Sequence, residues 1–234
     1  MEAPDIIYIL KDTPENEELR YSLRSLANLP HGKVVFVGGL PNGLVPDMHI
    51  KFDQEKDKKW DNAKNLIKKA CENDSLTPNV YLFNDDFFVL KPVTKFPTFK
   101  NKTLEELADH VTHKRTRYSE YISLRIDPTI EMLKEYNLPT VNYELHLPML
   151  INRKKMLRIY EKFPTGAKRS CYGNSYKIGG GEIDPARMND GSIHDPVNKI
   201  KGDRIFVSST DESWVGVAGE QIRALFPTPS KYEI

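Results

Sequence analysis

The chain has 234 residues, 39% apolar and 29% charged, and its 34 basic and 33 acidic side chains leave a formal net charge of +1. That length fits one large domain, or one with an embedded subdomain, and the balanced charge gives no whole-chain field favouring nucleic acid or an anionic membrane. No stretch approaches the ~18 apolar residues of a membrane span, and the first fifteen residues carry no basic segment leading into an apolar run. A cytoplasmic protein is expected. Cys71 and Cys171 lie too far apart in sequence to suggest a zinc cluster or a disulfide framework, so two reduced, buried thiols are predicted.

Asp5 to Leu10 is rich in β-branched and aromatic residues and ends at Lys11-Asp-Thr-Pro14, which reads as a buried strand stopped by a turn. Thr13 as N-cap, Pro14 at the first helical position and Glu15, Glu17 and Glu18 at the positive end of the helix dipole predict a helix to about Ala27. Lys33 to Gly38 and Met48 to Phe52 read as strands. Trp60, Ala63, Leu66, Ile67, Ala70 and Cys71, spaced by threes and fours, predict a helix, and Val80 to Phe83 a fourth strand. Strands interleaved with helices predict a mostly parallel sheet flanked by helices.

Beyond Pro92 the pattern loosens. Thr103-Leu-Glu-Glu106 is a capping box, Asp127-Pro128 opens a helix through Leu133, and Arg153 to Phe163 has helical spacing. Gly179 to Gly181 and Asn189 to Gly202 read as mobile loop; Arg204 to Ser208 as a strand; Val215 to Phe226 as a last helix. The organisation expected is one catalytic domain. Its core is 1–92, a helical and loop region spans 93–202, and 203–234 returns to the core.

Asn84-Asp85-Asp86 follows directly on the fourth strand, so two carboxylates emerge where a buried parallel strand ends, the place where open α/β sheets bind ligands. Adjacent carboxylates repel unless a cation lies between or beside them, and a hard divalent ion holding substrate phosphates uses one or two carboxylates in this way. Asp85 and Asp86 are therefore candidate ligands for Mg2+ or Mn2+. An Asx-turn or helix cap is the plain alternative.

Several segments, in order along the chain, resemble the conserved regions of the Stealth family of sugar-phosphate transferases. Asp5 to Asp12 resembles the opening strand, and Glu18-Leu-Arg-Tyr-Ser-Leu-Arg-Ser25 is close to a family signature. Val80 to Phe88 looks like the strand with Asn-Asp-Asp. His146-Leu-Pro148 with Arg169-Ser-Cys-Tyr-Gly-Asn174 resembles the third region. Ser209-Thr-Asp211 through Phe226-Pro-Thr-Pro-Ser-Lys-Tyr-Glu233 is similar to the fourth. Leu10 stands where an aromatic is usual, the insertion between Asp12 and Glu18 is nearly absent, and Trp60-Asp-Asn62 is all that matches a Phe-Asn-Ser segment.

The resemblance implies a nucleotide-sugar-binding core similar to A-type glycosyltransferases and transfer of a sugar 1-phosphate from a nucleotide sugar to a glycan hydroxyl. It further implies substrate contacts from Asp12, Glu18, Arg20, Arg24, Arg169 and Asn174, with His146 or Asp211 as base and Asp86 in the catalytic set. On spacing alone, Arg20 and Arg24 share a helix face suited to phosphate or to solvent, whereas Glu18 points elsewhere. His146, set among Leu145, Leu147 and Pro148, suits either a partly desolvated base or a structural histidine. Asp211 suits a metal ligand, a base or a helix start. His194 reads as a loop residue or acceptor contact; His31, His49, His110 and His113 carry no functional argument.

Two other readings use the same residues. An ordinary glycosyltransferase would release the nucleoside diphosphate, and a non-catalytic sugar-nucleotide or glycan-binding protein would stack its Tyr and Phe rings on sugars. Nucleic acid is not an expected partner, since no basic stripe with interleaved aromatics appears beyond the short Lys114-Arg-Thr-Arg117.

Overall fold

A computed structural model describes residues 2–55, 59–113, 119–184, 186–188 and 194–234. In chain order the first elements are β1 (Asp5–Leu10), α1 (Glu17–Ser25), β2 (Val34–Gly38), β3 (Met48–Ile50), α2 (Lys59–Glu72), β4 (Asn79–Asn84) and β5 (Phe87–Val89). There follow β6 (Phe99–Thr103), α3 (Leu104–His113), α4 (Ser119–Tyr121), a π-helical turn (Ile122–Ile126), α5 (Asp127–Glu135), β7 (Val141–Asn142), β8 (Met149–Asn152) and α6 (Arg153–Lys162). Then come α7 (Lys168–Ser175), β9 (Gly181–Glu182), α8 (His194–Lys201), β10 (Phe206–Ser208), α9 (Asp211–Val215) and α10 (Val217–Leu225). No described helix is long and apolar enough to cross a membrane.

The chain divides into two compact units, Met1–Phe96 with His146–Arg153 and Ala186–Ile234, and Pro97–Leu145 with Lys154–Pro185. The expected middle region, 93–202, is thus interrupted twice by segments that belong with the sheet. The reason is strand pairing: β8 lies antiparallel on β4, and Arg187 bridges to Ser208 at the end of β10.

The first unit is mixed α/β. Its main sheet has five strands in the order β3-β2-β1-β4-β8, parallel apart from β8. Ile6, Ile7, Tyr8, Val34, Val35, Phe36, Val37, Val80, Leu82 and Phe83 are fully buried, as apolar runs in a sheet covered on both faces should be. At the exit of β2 the chain passes so close to β1 that a Cβ on Gly39 would meet the Lys11 carbonyl oxygen at 2.2 Å, which excludes any larger residue there. Arg153, 4% exposed, donates to the Cys71, Leu76 and Thr77 carbonyls, satisfying the orphan acceptors after α2 and fixing the approach to β4.

Helix α1 starts three residues later than the sequence predicts. Asn16, not Thr13, is its N-cap, its side-chain oxygen accepting from Leu19 N at 2.9 Å, while Thr13 Oγ1 donates to the Glu15 carbonyl. One face of α1 is a polar seam: Ser22 Oγ donates to Phe87 O, Ser25 Oγ accepts from Val89 N, and Asn28, just past the helix, donates to Val89 O. That seam satisfies β5 along its open edge, and β10 pairs antiparallel along the other. Phe88, Val207, Trp214, Ala218 and Ile222 close a second core beneath α9 and α10. The predicted single last helix is broken at Gly216, whose extended backbone turns the chain; a Cβ on Gly219 would strike Trp214 O at 1.8 Å, so the two helices meet backbone to backbone.

In the second unit β6 pairs with β7 and β9, and the predicted capping box closes on α3, with Thr103 N and Oγ1 both donating to Glu106. Helix α5 continues directly from α4 and the π-helical turn. Two of the expected loop segments are ordered elements: Gly181 opens β9, and His194–Lys201 is helix α8. The expected loop residues 189–193 and the basic run 114–117 lie outside the described residues. Cys71 and Cys171 are buried and free, and burial pushes both thiols up to about 12.

Candidate functional site

The strand order fixes where a ligand site belongs. From β1 the chain winds outward through β2 and β3, then returns to place β4 on the opposite side of β1, so the switch point lies between the carboxyl ends of β1 and β4. Asp12 follows β1 and is exposed; Asp85 and Asp86 form the turn from β4 to β5. The N-terminus of α1 rises from the same edge, and Asn16 ties the two together. Its amide nitrogen donates to Asp85 Oδ2 at 2.7 Å while its oxygen caps the helix.

A second knot is Ser209, fully buried after β10. Its amide donates to the Asp86 carbonyl at 3.1 Å, its hydroxyl donates to Glu18 Oε1 at 2.5 Å, and its carbonyl accepts from Arg187 Nε at 3.3 Å. One residue thereby holds Glu18, Asp86 and Arg187 together. Asp211, exposed in the first turn of α9, adds its field to Asp85 and Glu18; the capping itself is done by Thr210 with Ser213.

These carboxylates act on one another electrostatically. Burial pushes Glu18 up to about 7, with Asp85 and Asp211 raising it further against the lowering effect of the Ser209 hydrogen bond and Arg187. Burial likewise raises Asp85, offset in part by the bond from Asn16. Asp86 is raised well above the carboxylate range by burial and by the charges of Asp85 and Glu18. Such an arrangement opposes ionisation in the protein alone and is relieved by a cation.

His146 lies on the rim of this cluster. Its Nδ1 is 3.3 Å from Asp86 Oδ2, its ring stands edge-on to Phe87, and its backbone adopts a left-handed φ of 54°.

The remaining predicted contacts separate. Arg24 donates through Nε and Nη2 to Glu233 and through Nη1 to the Phe226 and Pro227 carbonyls, and Arg20 Nη1 donates to Glu233 at 3.0 Å. Together they lock the C-terminal segment onto α1, and for Arg24 this bracing occupies the guanidinium. Arg169 and Asn174 belong to α7 in the second unit. Asn174 is 2% exposed; its amide donates to the Val141 and Ser170 carbonyls and accepts from Val141 N, so it braces β7.

Asp85 and Asp86 offer hard oxygen donors, and Asp86 Oδ1 is buried without a hydrogen-bond partner among the described residues. This fits a hard divalent ion of the Mg2+ or Mn2+ kind, held by two carboxylates and completed by water and phosphate oxygens. Among the described residues no group of three or more His, Cys, Asp or Glu is placed to hold a metal ion.

Sequence reasoning passed over Asn16, Ser209 and Arg187. Asn16 had a local signal, as a good capping residue just before Glu17; Ser209 and Arg187 join the site only through tertiary contacts. Compared with known proteins, the chain matches no family model and no curated protein.

Proposed function

We propose that the chain is a sugar-phosphate transferase similar to the Stealth family, with a core of the A-type glycosyltransferase kind, using a nucleotide sugar as donor and a glycan hydroxyl as acceptor. The observation that carries this reading is the acidic turn Asp85-Asp86 at the switch point of a mostly parallel sheet, with Glu18 tied to it through Ser209 and His146 Nδ1 3.3 Å from Asp86 Oδ2. Asp85 and Asp86 Oδ1 would hold a divalent cation, whose chemistry there is to neutralise diphosphate oxygens. Asp86 Oδ2, 3.3 Å from His146 Nδ1, would pair with the imidazolium once His146 Nε2 has taken the acceptor's proton.

The acceptor oxygen attacks the β-phosphorus, and a new P–O bond forms as the bond from that phosphorus to the bridging oxygen breaks. The proton passes to His146 Nε2, and nucleoside monophosphate leaves. Asn16 and Ser209 keep Asp85 and Asp86 in register with this geometry.

The test is mass spectrometry of products after incubation with Mn2+, a panel of nucleotide sugars and a glycan extract. Nucleoside monophosphate with a phosphodiester-linked sugar is expected. Nucleoside diphosphate would replace phosphotransfer with glycosyl transfer to the same acceptors. Metal-independent donor binding without turnover would instead make this a binding protein.

A further inference from the structure

Arg187 is the basic side chain whose field reaches both Glu18 and Asp86, yet it makes no ion pair with either carboxylate. Its Nε donates to the Ser209 carbonyl at 3.3 Å, and its backbone carbonyl is held by Lys199 Nζ at 2.7 Å. Among the described residues its two Nη groups have no protein partner. A guanidinium beside carboxylates ordinarily closes a bidentate pair, as Arg24 does with Glu233 at 2.7 and 2.9 Å. Here Ser209 links the groups instead: its amide donates to the Asp86 backbone carbonyl, its hydroxyl to Glu18, and its carbonyl accepts from Arg187 Nε. The fork is thus tied to the residue that holds Glu18, and Asp86 Oδ1 is buried without a hydrogen-bond partner among the described residues.

Carboxylates and a guanidinium kept apart in one site suit a ligand that brings both signs of charge. A cation answers the carboxylates, and the anion it carries answers the arginine. We propose that Arg187 is a diphosphate-binding residue of this site, its free Nη fork taking phosphate oxygens of a metal-bound diphosphate. This assignment rests on the functional reading above and adds to it a contact that lies in the first unit with the carboxylates themselves.

The test uses the full chain, with isothermal titration of inorganic pyrophosphate in the presence of Mn2+ against wild type, Arg187→Ala and Arg187→Lys. A charge-assisted fork predicts roughly 10- to 100-fold weaker binding in Arg187→Ala, and an intermediate loss in Arg187→Lys, which keeps the charge without the fork. Melting temperatures should stay within about 2 °C, because the protein loses one long hydrogen bond. Wild-type affinity in Arg187→Ala overturns the assignment and leaves the phosphotransfer reading standing. Absence of pyrophosphate binding in wild type overturns both. Should the alanine variant melt well below wild type, Arg187→Lys decides: wild-type affinity there overturns the bidentate contact, and weakened affinity in a folded protein upholds it.

Discussion

Helix α1 carries two charged clusters that resolve in opposite ways. Toward its C-terminal end, Arg20 and Arg24 meet Glu233, whose carboxyl loses some ground to burial but is pulled down to about 2 by Arg24, the Ser230 amide and Arg20. At its N-terminal end, Glu18 joins Asp85, Asp86 and Asp211, and burial and mutual repulsion push the carboxyls upward with one unclosed arginine nearby. The first cluster finishes its electrostatics inside the protein and holds the fold. The second leaves them unfinished, and the proposed cation and diphosphate would complete them.

The largest effect that would sharpen this contrast comes from Asp86→Asn. Under the proposed mechanism it should remove turnover by roughly 10⁴-fold or more in the product assay, since a proposed cation ligand and the carboxylate beside His146 are lost together. In metal-free buffer its melting temperature should hold or rise. A large destabilisation would make the acidic turn a structural cap and erase the contrast.

His146→Gln comes next. General-base loss predicts a rate lower by roughly 10²–10⁴-fold with nucleotide-sugar affinity kept within a few-fold, read by comparing turnover with donor titration. If rate and donor affinity fall in proportion, His146 faces the donor and Asp211 becomes the better base.

At the other cluster Glu233→Ala strands two arginines, one of them 11% exposed. A loss of about 2–3 kcal/mol, or roughly 4–12 °C of melting temperature, is expected. Because the folded carboxyl titrates near 2 and the unfolded one near ~4.3, the clamp contributes fully above about pH 4.3. That contribution drains away as pH falls toward 2, and Glu233→Gln should flatten this acid limb in melts taken across the interval.

The smallest effect carries the opposite sign. Glu18 titrates near 7 when folded, so its ionisation opposes folding as pH rises from about 4.3, most fully above 7. Glu18→Gln should therefore melt slightly higher than wild type at pH 8 without metal, the gain shrinking through pH 7 and vanishing near pH 4. A constant difference across that range would mean the carboxyl is not held by its buried surroundings.

Local pattern carried much of this molecule. The β1, β2 and β4 runs are apolar because parallel strands are covered on both faces, so their sequences announced a mostly parallel sheet, and the doublet after β4 announced the acidic turn. The Thr103 capping box was legible from its four-residue spacing, and the two buried thiols from the burial that free cysteines favour. Short strands such as β5, β7, β8 and β9 were not, since two to four residues hold too little periodicity to distinguish them from loop.

What the sequence determined by itself is what depends on neighbours within a turn or two: strand and helix character, capping and the doublet of carboxylates. Only the tertiary structure decided which charges meet. It joined Arg24 to Glu233 across the chain and turned a candidate phosphate contact into a brace. It buried the Asn174 amide against β7. It brought Ser209 and Arg187 to Glu18 and Asp86 through β10 and its bridge. Long-range pairing of polar groups is set by the packing of the apolar elements that carry them, and no local spacing records it.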